Sequence, residues 1–156
     1  VTLYLVRHAH AGARSSWDRP DVDRPLSEKG RHQTDALTAH LDGVGLDRVL
    51  SSAAVRCQQT VALMARSRGL TVEVLPALAE GAAPEDTDRL IWELASAGVD
   101  AVLVSHGDVI PAVLDALRRD GVPVEEGHGV PKATYCELAV DPGGHVTGVT
   151  FVDPRP

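Results

Sequence analysis

Residues 100–104 read Asp-Ala-Val-Leu-Val, apolar at every position after the first. A strand with one face in water alternates polar and apolar side chains, so an unbroken apolar strand is one covered on both faces. That is the signature of a central parallel strand. Parallel neighbours need crossover connections, and the rest of the chain supplies them. Short apolar segments predict further strands at 2–6, 47–50 and 71–75. Helices are predicted between them. One runs from an N-cap at Ser27 to about Asp42, with Gln33, Leu37 and Leu41 on one face and Gly43 and Gly45 as its stop. A second covers 54–68, with Cys57, Val61 and Met64 on one face and Gly69 as cap. A third starts at Pro84 and is closed by Gly98, and a fourth covers 108–119, ended by Gly121 and Pro123. Two last strands, 134–140 and 146–152, read as a closing hairpin through Asp141-Pro142-Gly143-Gly144. The expectation is one domain over 1–156, an α/β/α three-layer sandwich around a mostly parallel sheet.

Composition narrows the function. The chain has 156 residues, 44% of them hydrophobic, enough for one sizeable core. A net charge of −7 argues against a partner that is a nucleic-acid polymer. No window of about 18 apolar residues exists, so no membrane partner is expected, and no signal-peptide pattern opens the chain. Two cysteines, Cys57 and Cys136, suit a reducing cytoplasm better than a disulfide framework. The only methionine is Met64, so Val1 is read either as a processed terminus or as the edge of an excised segment. Thirteen of the 15 basic residues are arginine, so an arginine carries information only where its position is special.

Such positions exist. In open α/β sheets, ligands bind beyond the carboxyl ends of the strands. Those ends here carry Arg7-His8, then Ser51-Ser52 leading to Arg56, then Glu80-Gly81, then Ser105-His106-Gly107. Two arginines and two histidines at one edge make an anion site, and phosphate is the natural tetrahedral anion for paired guanidinium forks. A neutral imidazole beside a bound phosphoryl group can attack phosphorus. The guanidiniums would keep that imidazole unprotonated and stabilise charge on the equatorial oxygens. A carboxyl group is then needed to protonate the leaving oxygen, and Glu80 is the candidate.

These segments resemble the motifs of the histidine phosphatase superfamily, over essentially the whole chain. The family's R-H-[GA] strand end matches Arg7-His8-Ala9, and its L-[ST]-x-x-G segment matches Leu26–Gly30 of "RPLSEKG". "SSAAVRCQQT", residues 51–60, is similar to S-S-x-x-x-R-x-x-Q-T, and "VSHGD", residues 104–108, to the late H-G motif. "LAEG", residues 78–81, stands where mutase-like members carry a proton-donating glutamate. The short length resembles SixA-type phosphohistidine phosphatases. "VRCQQT", "KATYCEL" and "GDVIPAVLDALRRDGV" are similar to the phosphatase domain that follows a Nudix domain in MutT-like proteins, although no Nudix motif is present. The resemblance implies His8 as nucleophile, Arg7, Arg56, His106 and Gly107 around the phosphoryl group, Glu80 as acid, and neither metal nor cofactor. The common R-H-G-E-[ST] run is here Arg7-His8-Ala9-His10-Ala11, which favours phosphatase over mutase and gives His10 no role.

Other readings were weighed against these. His8-x-His10 has metal-ligand spacing, which would suit a metal-dependent hydrolase, but Arg7 and Arg56 would repel a dication. A non-catalytic phosphate-binding module is a third class. Arg14, Arg19 and Arg24 alternate with Asp18, Asp21 and Asp23 in the irregular stretch 9–25, and a solvated loop is expected there. Trp17 either stacks on a base or pins the loop. Cys57 is expected to be a buried helix residue. With one helix between Glu80 and Asp100, no lid is expected. The open site would then favour an exposed phosphoryl group, with phosphohistidine protein slightly ahead of nucleotides.

Overall fold

The computed structural model describes residues 1–127 and 129–155. Strand β1 (Thr2–Arg7) leads through a long connection to helix α1 (Glu28–His40), β2 (Arg48–Ser51) and α2 (Val55–Ser67). Then come β3 (Val72–Val74), α3 (Pro84–Ala97), β4 (Ala101–Ser105), α4 (Val109–Arg119), β5 (Tyr135–Val140) and β6 (Val146–Val152). The six strands form one sheet in the order β3-β2-β4-β1-β5-β6. The first four pair in parallel, while β5 and β6 run antiparallel. The apolar strand β4 lies in the middle, and all five of its residues are buried.

The pleat sorts the core into two halves, because successive side chains point to opposite faces. Leu3, Leu5 and Leu103 pack with Ile91 and Leu94 of α3 and Ile110 and Leu117 of α4. Tyr4, Val6, Val102 and Val104 pack on the other face with Leu37 of α1 and Val61 and Met64 of α2. Helices on both faces give the three layers that β4 demanded.

Local signals set the boundaries. The Ser27 hydroxyl accepts from Gly30 N–H at 3.1 Å and caps α1, while Gly98 closes α3 in the left-handed region at φ 67°. Helix α1 stops two residues short of the expected Asp42, because the chain turns over Leu41, whose buried side chain ends the apolar face. The stretch 9–25 contains two short 3₁₀ turns, Arg14–Ser16 and Asp21–Asp23, and is fastened to the protein at several points. Among the described residues no helix is long and apolar enough to cross a membrane.

Candidate active site

The carboxyl ends of β1, β4 and β2 lie side by side, with Arg7 in register with Ser105 and Ser51 with Val104. Each end then delivers one group. His8 follows β1, with its backbone N–H donating to Ser105 O at 3.1 Å. His106 follows β4. Arg56, in the first turn of α2, is 1% exposed despite its charge. The rings of His8 and His106 meet edge to face, with centroids 5.4 Å apart. Arg7, His8, Arg56, Glu80, His106 and Gly107 all line one cavity of about 380 Å³. The sequence-derived candidates therefore converge on one place.

The protonation state of His8 follows from one contact. Its Nδ1 lies 2.8 Å from the Ala9 carbonyl, which can only accept, so Nδ1 carries the hydrogen. Nε2 is left with its lone pair. Burial, with Arg56, His106 and Arg7 adding to it, lowers the ring's pKa to about 4. At neutral pH this imidazole is uncharged and has its nucleophilic nitrogen free.

His106 is held through its other edge. Nε2 lies 2.8 Å from Ser52 Oγ, which also accepts from Ala54 N–H at 3.2 Å. Nδ1 faces Arg56 Nη2 at 3.4 Å and Glu80 Oε2 at 3.9 Å. Burial and then Arg56 lower its pKa too. Arg7 donates from Nη1 to Val130 O at 3.0 Å, and its guanidinium lies over Gly107, where a Cβ would stand 2.7 Å from Nη2. A side chain at position 107 would displace Arg7. Among the described residues the Nε atoms of Arg7 and Arg56 are buried donors without a protein acceptor. Each costs about 1–3 kcal/mol, more than a merely structural arginine needs to spend.

The remaining motif residues are struts. Thr60 Oγ1 accepts from Ala9 N–H at 3.0 Å and donates to Arg56 O at 2.7 Å, tying the His8 loop to α2. Gln59 Oε1 accepts from Leu26 N–H at 2.8 Å. Gln33 Oε1 accepts from His10 N–H at 2.8 Å. Gly30 lies against the His10 carbonyl so closely that a Cβ there would collide with it. His10 acquires a role as well. Its Nδ1 bonds Ser27 Oγ at 2.6 Å, and it does not line the cavity that holds His8. The metal-ligand reading of His8-x-His10 loses its geometry there. Among the described residues no group of three or more His, Cys, Asp or Glu side chains is arranged to hold a metal ion.

One expectation needs correction. The loop 9–25 is not simply solvated. Arg19 is exposed, but Arg24 is 7% exposed, donating from Nη1 to the Ala11 and Gly12 carbonyls and pairing through Nε with Asp21. Arg14 and Arg24 both line the cavity. Asp21 accepts ion pairs from Arg14, Arg24 and Arg56, the last at 3.0 Å. Alternating signs suggested mutual neutralisation in water, yet they record a loop folded back onto α2. Glu80 also reaches this site. Arg14, whose bond counts most, and Arg56 hold its carboxylate from either side at 2.9 Å and keep its pKa below the usual range. Sequence reasoning missed Ser52, Asp21 and Lys132, although "SS" and "KAT" both sat within quoted segments. Trp17 is a pin, its Nε1–H donating to Pro20 O at 3.1 Å. Cys57 is buried, with its thiol pushed up to about 12 by burial.

A buried neutral histidine between two guanidiniums, on the carboxyl edge of a doubly covered sheet, defines a class of phosphoryl-transfer protein. Comparison with known families agrees: residues 3–97 match the model of the histidine phosphatase superfamily (branch 1), and the chain belongs to that superfamily. The 8-oxo-(d)GTP phosphatase of Mycolicibacterium smegmatis is 32% identical over 156 residues, 98% of this chain and 48% of that protein. The chain thus spans about half the length of this relative. The fold is also that of the protein histidine phosphatase SixA complexed with tungstate (TM-score 0.69, 22% identity, 97% of this chain and 94% of that one). A mycobacterial glucosyl-3-phosphoglycerate phosphatase is similarly alike (TM-score 0.72, 18% identity, 96% of each chain). Among the solved structures that share its fold are several phosphatases.

Proposed function

We propose that this domain, spanning 1–156 and acting in the cytoplasm, hydrolyses phosphoryl groups through a covalent phosphohistidine at His8, without a metal ion or cofactor. The observation that carries the reading is the His8 contact with the Ala9 carbonyl, which leaves Nε2 unprotonated in a cavity that Arg7 and Arg56 also line. In the first step Nε2 attacks phosphorus, the N–P bond forms and the bond to the leaving oxygen breaks. Arg7, Arg56 and a protonated His106 Nδ1 take the charge on the equatorial oxygens, and the negative phosphoryl group itself favours that proton on His106. In the second step water attacks phosphorus, its proton passes to the Glu80 carboxylate, the N–P bond breaks and inorganic phosphate leaves. Glu80 can act as acid in the first step only after a substrate phosphoryl group has competed for Arg56 and the carboxylate has taken a proton from solvent; otherwise the leaving oxygen departs with the electron pair and is protonated by water. The Glu80 bridge to Arg14 is solvent-exposed and easily opened.

The substrate is an exposed phosphoryl group at the end of a larger molecule. Phosphohistidine on a protein fits that description, as does a nucleotide. The 32% identity to a protein named for 8-oxo-(d)GTP supports the nucleotide more strongly, and reverses the order drawn from the sequence. The test is a substrate panel measured with excess chelator, with His8→Ala beside the wild type. Chelator-resistant hydrolysis that vanishes in His8→Ala is expected. Activity lost to chelator and restored by zinc or manganese would overturn the reading.

A further inference from the structure

The cavity carries more positive charge than one phosphoryl group uses. Beside Arg7, His8, Arg56 and His106 it is lined by Lys132, Arg24, Arg14 and Gly12, against two carboxylates, Glu80 and Asp108. Arg14 is matched by Glu80 and Asp21. Lys132 has no carboxylate within ion-pair distance among the described residues, and it is only partly exposed. Burial lowers its pKa, and Arg7, Arg24, Lys29 and Arg56 lower it further. Arg24 spends Nε on Asp21 and Nη1 on two carbonyls, and its Nη2 has no protein partner among the described residues.

The backbone holds Lys132 in place at a cost. Ala133 is the one non-glycine residue at positive φ, 62°, among those described, a conformation worth about 1–3 kcal/mol of strain in an L residue. Its N–H is shared between the Arg7 and His8 carbonyls at 3.1 and 3.2 Å. Thr134 Oγ1 bonds back to Pro131 O at 2.6 Å. The segment carrying Lys132 is thus clamped to the same two residues that begin the reaction site. A partly buried ammonium among guanidiniums is destabilising unless an anion joins it.

We propose that Lys132 and Arg24 form a second anion subsite, which receives the phosphoryl group next to the one transferred, so that the substrate ends in a phosphoanhydride such as that of a nucleoside diphosphate or triphosphate. The proposal rests on the covalent phosphatase reading above. In the step it describes, His8 Nε2 bonds to the terminal phosphorus and the P–O bond to the bridging oxygen breaks. The electron pair stays on the departing phosphate, where Lys132 and Arg24 neutralise it. Such a leaving group needs little help from an acid, which agrees with a Glu80 held ionised. Water then releases inorganic phosphate from His8.

The test compares kcat/KM for a nucleoside diphosphate and the matching monophosphate in wild type, Lys132→Gln and Lys132→Arg. The wild type should prefer the diphosphate by at least about tenfold, roughly 1.4 kcal/mol. Lys132→Gln should reduce that preference about tenfold, and Lys132→Arg should keep most of it. A general structural defect would lower both substrates together and leave the ratio alone. Pyrophosphate should also inhibit wild-type hydrolysis of p-nitrophenyl phosphate at least about tenfold more strongly than phosphate does, a comparison independent of any variant. An unchanged ratio in Lys132→Gln, or equal inhibition by the two anions, overturns the second subsite. A wild type with no His8-dependent hydrolysis of p-nitrophenyl phosphate would instead overturn the covalent reading.

Discussion

At the scale of single residues, the site works by withholding partners. His8 has one ring nitrogen committed to Ala9 O and the other free, and Arg7 and Arg56 each keep a buried Nε–H without an acceptor among the described residues. Replacing Arg56 with lysine removes the planar fork while keeping the charge. The expected loss in kcat is about 10²–10³-fold, the range for one oxyanion donor, with a smaller change in KM. Steady-state kinetics on p-nitrophenyl phosphate would show it, and a loss of less than about threefold would reduce Arg56 to a structural charge. Glu80→Gln separates leaving groups. A simple alkyl phosphate should slow much more than p-nitrophenyl phosphate, whose phenolate departs without a proton. Equal losses would assign Glu80 to the water step alone.

At the scale of elements, the motif glycine and glutamines are fasteners between segments. Helix α1 approaches the loop after β1 through Gly30, and any Cβ there would press on the His10 backbone rather than on a flexible side chain. Gly30→Ala should therefore destabilise the protein by about 1–3 kcal/mol, the usual cost of overpacking. It should also depress kcat, since His10 lies two residues from His8. A denaturant titration and an activity assay on the same preparation check both, and an unchanged midpoint would contradict the packing. These fasteners also mark how far the sequence was legible. Every strand and helix could be read from apolar runs and caps, because β4 is apolar from Ala101 to Val104 and Ser27 and Gly98 are local signals. The four basic site residues were legible because strand ends in a parallel sheet share one edge. The fold of 9–25 was not legible. Asp21 bonds Arg56, 35 positions away, and Arg14 bonds Glu80, 66 positions away. No local periodicity records contacts at such range. Lys132 was hidden for a related reason, since its place depends on a positive-φ alanine that composition cannot announce.

At the scale of the whole molecule, the site makes stability depend on pH. His8 has a folded pKa of about 4 against an unfolded value of 6.5, so the unfolded chain binds the extra proton between those values. Stability is therefore complete above about 6.5 and declines as pH falls toward 4. Glu80 and Asp21 act in the same direction, because their lowered pKa values give stability that is lost on acidification. Between pH 7 and about 4.5, His8 alone should account for a loss on the order of 2 kcal/mol. Unfolding free energies of wild type and His8→Gln at the two pH values measure this, and the drop should be smaller in the variant by that amount. An identical drop would mean that His8 is not buried as a neutral ring.

The central claim is a covalent bond from phosphorus to His8 Nε2, and rapid quenching with a ³²P-labelled substrate tests it most directly. Within a single turnover the wild type should carry label that survives base and is lost in acid, the stability of a phosphoramidate. Peptide mapping should place the label on His8, and His8→Ala should carry none while still binding phosphate. A wild type that turns over repeatedly with no labelled protein at any quench time, or with the label on another residue, would contradict the account.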